Sequence, residues 1–234
     1  MNLTSTEAAA YLDDLAPRVR DLHDRDLFVL LPFPALWVAR DRLAATATTW
    51  GAQDVHPEDA GAHTGDVSAA MLADLGCSWV EVGHHERRRD HGETDELVAA
   101  KAAAVQRWRM TAIVCIGEVG RGSLEDARVA LEPQVGALTG LDRDRLVLAY
   151  EPAWAIGAGS EPAPEDWVGA AHGAIRELID AALPAGEPVR IIYGGSVDPE
   201  SAAAILGRRG VDGLFVGRQA LDPAVFAAIA HTGH

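Results

Sequence analysis

Glu151 closes a short apolar run, Leu146 to Tyr150. Pro152-Ala153-Trp154 and the small-residue stretch Ala155-Ile156-Gly157-Ala158-Gly159 follow at once. A carboxylate at the carboxyl end of a buried strand, beneath a loop able to close, suits a general base that takes a proton from carbon. His84 follows a second apolar run, Val80-Glu81-Val82-Gly83, and opens a segment rich in Glu and Arg. A lone histidine at a strand end is more often a satisfied structural residue than a chemical group. His84, His85, Glu86, Asp90 and His91 cluster in sequence. Neighbours on one short turn diverge, however, so no metal is expected there.

These residues need elements to carry them. Apolar, β-prone runs recur at Phe28–Leu31, Thr49–Gln53, Trp79–Gly83, Thr111–Ile116, Leu146–Glu151, Arg190–Tyr193 and Gly213–Val216. Between them lie helical patterns. Ala8, Tyr11, Leu12, Leu15, Val19 and Leu22 mark one apolar face, preceded by Thr4 and Glu7 as a capping box. Asp198-Pro199-Glu200 reads as N-cap, N1 proline and first-turn acid of a helix ending near Gly207, and a longer helix is expected between Pro164 and Pro184. Strands alternating with helices, without a break in composition or a Ser/Gly linker, predict parallel βα units in a single α/β domain over residues 1–234.

Composition narrows the partners. The 234 residues carry a net charge of −15, which argues against nucleic acid and anionic membrane. An acidic protein that binds a phosphate ester must build a local positive site, which gives weight to arginines and helix N-termini. Apolar residues make up 48%, enough for a large core. No stretch approaches the roughly 20 apolar residues of a membrane span, and the start lacks the pattern of a secretory signal, so a cytoplasmic protein is expected. The two cysteines, Cys77 and Cys115, sit in apolar contexts and read as buried free thiols.

Taken in order, Gly83-His84-His85-Glu86-Arg87-Arg88, Ala149-Tyr150-Glu151-Pro152-Ala153-Trp154 and Tyr193-Gly194-Gly195-Ser196-Val197 closely resemble the triosephosphate isomerase family. The resemblance implies a TIM (β/α)8 barrel and a cofactor-free aldose–ketose isomerase of glycolysis and gluconeogenesis acting on a small sugar phosphate. In it Glu151 shuttles a proton between adjacent carbons and His84 polarises the oxygens, its ring kept neutral by the helix start. This family is itself the standard example of that effect. The resemblance places Glu86 beside the catalytic groups and makes Arg87 a structural or interface arginine, while Arg88 and Arg89 read as solvated charges on a helix. It puts phosphate on Gly157 of the lid, on Gly194-Gly195-Ser196, and on Gly217-Arg218-Gln219. A Gly-Gly-Ser turn alone would be an ordinary tight turn. Gly61-Ala62-His63-Thr64-Gly65-Asp66 matches the family loop that plugs into a second subunit, which implies a homodimer.

Three departures stand out. His85 replaces the usual Ser. Arg218 replaces the usual Gly and brings the chain nearer to a sister branch that isomerises tetrulose (erythrulose) phosphates, although the lid and the opening Met1-Asn2-Leu3-Thr4 favour triose. Only seven strands are read, because the chain opens just after the position of the family's first strand and the Asn and Lys that end it. A start placed too late is the expected reason. The rival reading of another class is a non-catalytic phosphate-binding or structural relative that lost the Lys.

Overall fold

Side chains alternate along each apolar run, and the runs pair into one parallel sheet. The computed structural model describes residues 1–157 and 162–233. In chain order the strands are β1 (Phe28–Leu31), β2 (Thr49–Ala52), β3 (Trp79–Val82), β4 (Thr111–Ile116), β5 (Leu146–Tyr150), β6 (Arg190–Tyr193) and β7 (Gly213–Leu214). Each pairs with the next, in the order β1-β2-β3-β4-β5-β6-β7. Parallel neighbours need crossover connections. Helices supply them: α1 (Ser5–Val19), α2 (Leu36–Leu43), α3 (Ala69–Leu75), α4 (His85–His91), α5 (Asp95–Arg107), α6 (Leu124–Gly136), α7 (Glu165–Ala182), α8 (Ala202–Leu206) and α9 (Pro223–Ala230).

The alternation decides where function sits. On β4, Ala112, Val114 and Ile116 face the helices, while Ile113 and Cys115 face inward to join Trp79, Val147, Ala149 and Ile192. Continuing that period, Glu81 follows Trp79 on the inner face of β3, and Glu151 follows Val147 and Ala149 at the mouth of β5. The inner face is thus apolar at its floor and acidic towards the carboxyl ends of the strands, where barrels of this kind carry their chemistry.

Among the described residues β1 and β7 each pair on one side only. β7 consequently stops at Leu214, short of the apolar run that continues to Val216. The layer of helices closes where the sheet does not: Leu15, Val19 and Leu22 pack against Phe226 and Ala227, joining α1 to α9. Arg25 Nη1 adds bonds of 2.8 Å to the carbonyls of both Ala230 and Thr232. α1 carries the expected capping box, with Thr4 N–H donating to Glu7 at 2.8 Å and Glu7 N–H to the Thr4 hydroxyl at 3.3 Å. Its buried face is Ala8, Leu12, Leu15 and Val19, and each buried leucine contributes roughly 1.5–3 kcal/mol.

α8 departs from expectation. It begins at Ala202, not after Asp198. The Asp198 carboxylate accepts from the N–H groups of Glu200 and Ser201 and from the Ser201 hydroxyl, so a side-chain-closed turn occupies the residues read as the first helical turn. Among the described residues no helix is long and apolar enough to cross a membrane.

Candidate active site

Glu151 is 4% exposed and lies where β5 meets the following loop. Two glycines make room for it. A Cβ on Gly194 would stand 2.8 Å from Glu151 Cγ, and one on Gly117 would stand 1.9 Å from the Glu151 carbonyl oxygen. Its Oε1 lies 3.3 Å from His84 Nε2 and its Oε2 lies 3.8 Å from His85 Nδ1. The second distance is beyond hydrogen-bond length and leaves Oε2 without a hydrogen-bond partner among the described residues.

His84 is the N-cap of α4, with an extended backbone, and its Nδ1 accepts the Glu86 N–H at 3.3 Å. Because the cap residue is extended and the next begins the helix, His84 and His85 do not diverge as neighbours on one turn would. Their rings lie 4.3 Å apart and both face Glu151. Two pulls act on His84. Burial disfavours its charge, yet the hydrogen bond and charge of Glu151, backed by Glu81 and Glu86, outweigh burial and raise its affinity for a proton. That second proton would have to enter at Nδ1, where the Glu86 amide already points. The hydrogen-bond pattern therefore assigns one proton to the resting ring, on Nε2, directed at Glu151. Glu151 is held below the usual carboxylate range: burial opposes its charge, but the two histidines that face it, His84 foremost, prevail.

The loop after Glu151 is anchored at its root. Tyr150 Oη and Trp154 Nε1 both donate to the buried carboxylate of Glu118, at 2.9 and 2.8 Å, and Trp167 Nε1 donates to Tyr150 Oη at 2.9 Å. Sequence reading missed Glu118; an acid one residue beyond the β4 run and its glycine was the available signal. Ser196 Oγ holds the Ala155 carbonyl at 3.0 Å, and Arg218 reaches the Gly157 carbonyl at 2.6 Å. The turns at Gly157, Gly195-Ser196 and Gly217-Arg218 thus converge, and with His84, Glu86 and Glu151 they line one cleft of about 1930 Å³. Gly195 admits no side chain, since a Cβ there would stand 2.0 Å from Tyr193 Oη. Ala158 and Gly159 of the lid tip lie outside the described residues.

Glu86 is on the exposed rim, its carboxylate 3.8 Å from His84 Nδ1. Arg87 binds Glu93 at 2.6 Å and Asp54 at 2.8 Å, and Lys101 bridges the same two acids. Arg88 is not a solvated charge. It donates to the Gly83 carbonyl and pairs with Asp95, tying α4 to the ends of β3 and α5. Arg89 does stand in solvent, against Asp90.

The model of the triosephosphate isomerase family matches residues 1–233. The chain belongs to the triosephosphate isomerase family. It is 39% identical to the triosephosphate isomerase of Aquifex aeolicus, over 99% of this chain and 96% of that protein. It is 40% identical to the L-erythrulose-1-phosphate isomerase of Rhizobium meliloti, over 95% of this chain and 89% of that one. A crystal structure of triosephosphate isomerase from Bartonella henselae superposes with a TM-score of 0.85 at 30% identity, covering 98% of this chain and 94% of the other. Membership in the triosephosphate isomerase family makes this chain an aldose–ketose isomerase with a TIM fold. Glu81 and Cys115 lie beneath Glu151, the three presenting atoms all within 4.8 Å of one another. The signal for Glu81 was an acid at an inward position of an otherwise apolar strand.

Proposed function

We propose that this chain interconverts dihydroxyacetone phosphate and glyceraldehyde 3-phosphate, with Glu151 as base and His84 as hydrogen-bond donor. The observation that carries this reading is the buried Glu151 carboxylate facing His84 Nε2 at 3.3 Å, on the cleft that the three glycine turns also line. Substrate entering between them separates the pair. Glu151 then takes a proton from the carbon next to the carbonyl, and that C–H electron pair becomes the C=C bond of an enediolate. His84 Nε2–H bonds the oxygen that gains charge. The hydroxyl proton passes from one enediolate oxygen to the other by way of His84, and Glu151 delivers a proton, its own or one exchanged with solvent, to the adjacent carbon while the other C–O becomes the new carbonyl. Each time charge leaves Glu151, the pull of that carboxylate on His84 falls, which favours the neutral ring.

Phosphate is assigned to the Gly157, Gly195-Ser196 and Gly217-Arg218 turns. Arg218 supplies a fixed cation whose bond to the Gly157 carbonyl links the phosphate to the lid. The reading includes a homodimer through the exposed loop around Thr64, closed at its base by the His56–Val67 backbone bond, and a cytoplasmic location. The relative named L-erythrulose-1-phosphate isomerase, with Arg218 here, supports a second reading in which a four-carbon ketose phosphate is the substrate. Comparing kcat/KM on glyceraldehyde 3-phosphate and erythrulose phosphate decides between them. A higher value for the triose supports the first reading and a higher value for the tetrulose replaces it.

A further inference from the structure

Glu81 has no part in the chemistry described so far, yet it is 7% exposed and lines the same cleft as His84 and Glu151. Its place follows from strand period: two residues after Trp79, it faces inward, where its neighbours on β4 and β5 are Ile113, Cys115 and Ala149. Cys115 Sγ lies 3.6 Å from its Oε1, the hydrogen-bond partner found for it among the described residues. Glu81, Cys115 and Glu151 present atoms within 4.8 Å of one another. Two buried carboxylates at such a distance do not both ionise cheaply.

The groups facing Glu81 make it the one that keeps the proton. From β5 comes Glu151, stabilised as an anion by His84 and His85 at the start of α4. From β4 comes only the thiol of Cys115, which burial and the two nearby carboxylates keep protonated. Beyond β2 stands Asp54, another acid, already bound by Lys101 and Arg87. β1, Phe-Val-Leu-Leu, contributes no titratable group. His84, whose Nδ1 already accepts the Glu86 amide, turns its Nε2 to Glu151 and not to Glu81.

We infer that Glu81 is a proton-holding residue of the isomerase centre, neutral beside Glu151 so that an anionic substrate meets one buried carboxylate instead of two. Burial, foremost, and the charge of Glu151 push its carboxyl up to about 7, against the pull of His84. Near neutrality the proton on Glu81 and a phosphate dianion in the cleft therefore favour each other's binding. The inference rests on the substrate class proposed above. It deepens that reading by making substrate binding proton-linked through this one carboxyl.

The test is calorimetric binding of glycerol 3-phosphate, a dianion that lacks the reacting carbonyl, at pH 8 in two buffers of different ionisation heat. The parent is expected to take up a measurable fraction of a proton more than Glu81→Gln, which keeps the shape and stays neutral. Its affinity should fall about threefold or more from pH 6.5 to pH 8.5 beyond any fall in the variant. Equal proton uptake by the two proteins overturns the inference. An infrared titration of the parent decides the matter without ligand and without a folded variant. A protonated-carboxyl band lost with a midpoint near 7 supports the inference, and absence of such a band at pH 6 overturns it. If neither protein binds glycerol 3-phosphate, the substrate class is wrong, while the infrared result still decides whether Glu81 holds a proton.

Discussion

In the proposed reaction, Glu151 and His84 act through which atom holds which proton. The Glu86 amide occupies His84 Nδ1, so the ring presents Nε2–H to the cleft. Removing a preorganised donor of this kind costs about 10²–10³ in kcat. His84→Gln is expected to lower kcat by that order with a smaller change in KM, as measured by steady-state isomerisation of glyceraldehyde 3-phosphate. A change confined to KM would show His84 to be a binding group only. The meeting of Glu151 and His84 was readable because each polar residue ends an apolar run at the same end of the sheet. His85 was harder: its approach to Glu151 depends on the extended backbone of the cap residue, which residue type does not reveal. Glu81 was overlooked because a single acid inside Trp79-Val80-Glu81-Val82 looks like a surface alternation until both faces of β3 prove buried.

The elements hold these atoms through buried polar contacts more than through caps. Glu93, nearly inaccessible, is reached by Arg87 from α4 and Lys101 from α5, and Asp54 after β2 is bound by the same two cations. Burial raises the Glu93 carboxyl, but hydrogen bonds from Lys101 and Arg87 and their charge outweigh it and leave it below its ordinary value. Its stabilising contribution is therefore complete above the unfolded carboxyl value, about 4.3, and is lost as pH falls through the lower folded value. Lys101→Met removes one cation from two acids and is expected to cost about 3 kcal/mol, a fall of about 6–12 °C in Tm. The difference between parent and variant should shrink in acid as Glu93 protonates. Thermal unfolding from pH 7 down to pH 3 measures it, and a Tm within 2 °C of the parent at pH 7 would contradict the role given to Lys101. All seven strands and the long helix before Pro184 followed from period and proline placement. The late start of α8 did not, because Asp198 can equally cap a helix or close a turn, and the Ser201 hydroxyl bonded to its carboxylate favours the turn.

The whole molecule closes its helical layer through α1 and α9, while β1 and β7 end the sheet. That seven-stranded curl was foreseeable from counting apolar runs. The packing that joins its two edges was not, since Arg25 meets the carbonyls of Ala230 and Thr232 across nearly the full length of the chain. The mouth of the curl gathers residues from β3, β5, β6 and β7 around one cleft, and in the proposed reaction this cleft moves a proton between two carbons of a triose phosphate by way of Glu151. Isomerisation in deuterated water by the parent and by Glu151→Gln tests this most directly. The parent should form glyceraldehyde 3-phosphate carrying solvent deuterium at C2, because the base exchanges its proton with solvent. Glu151→Gln, folded and of the same volume, should be slower by about 10²–10⁴-fold or more. A variant within tenfold of the parent would contradict the claim.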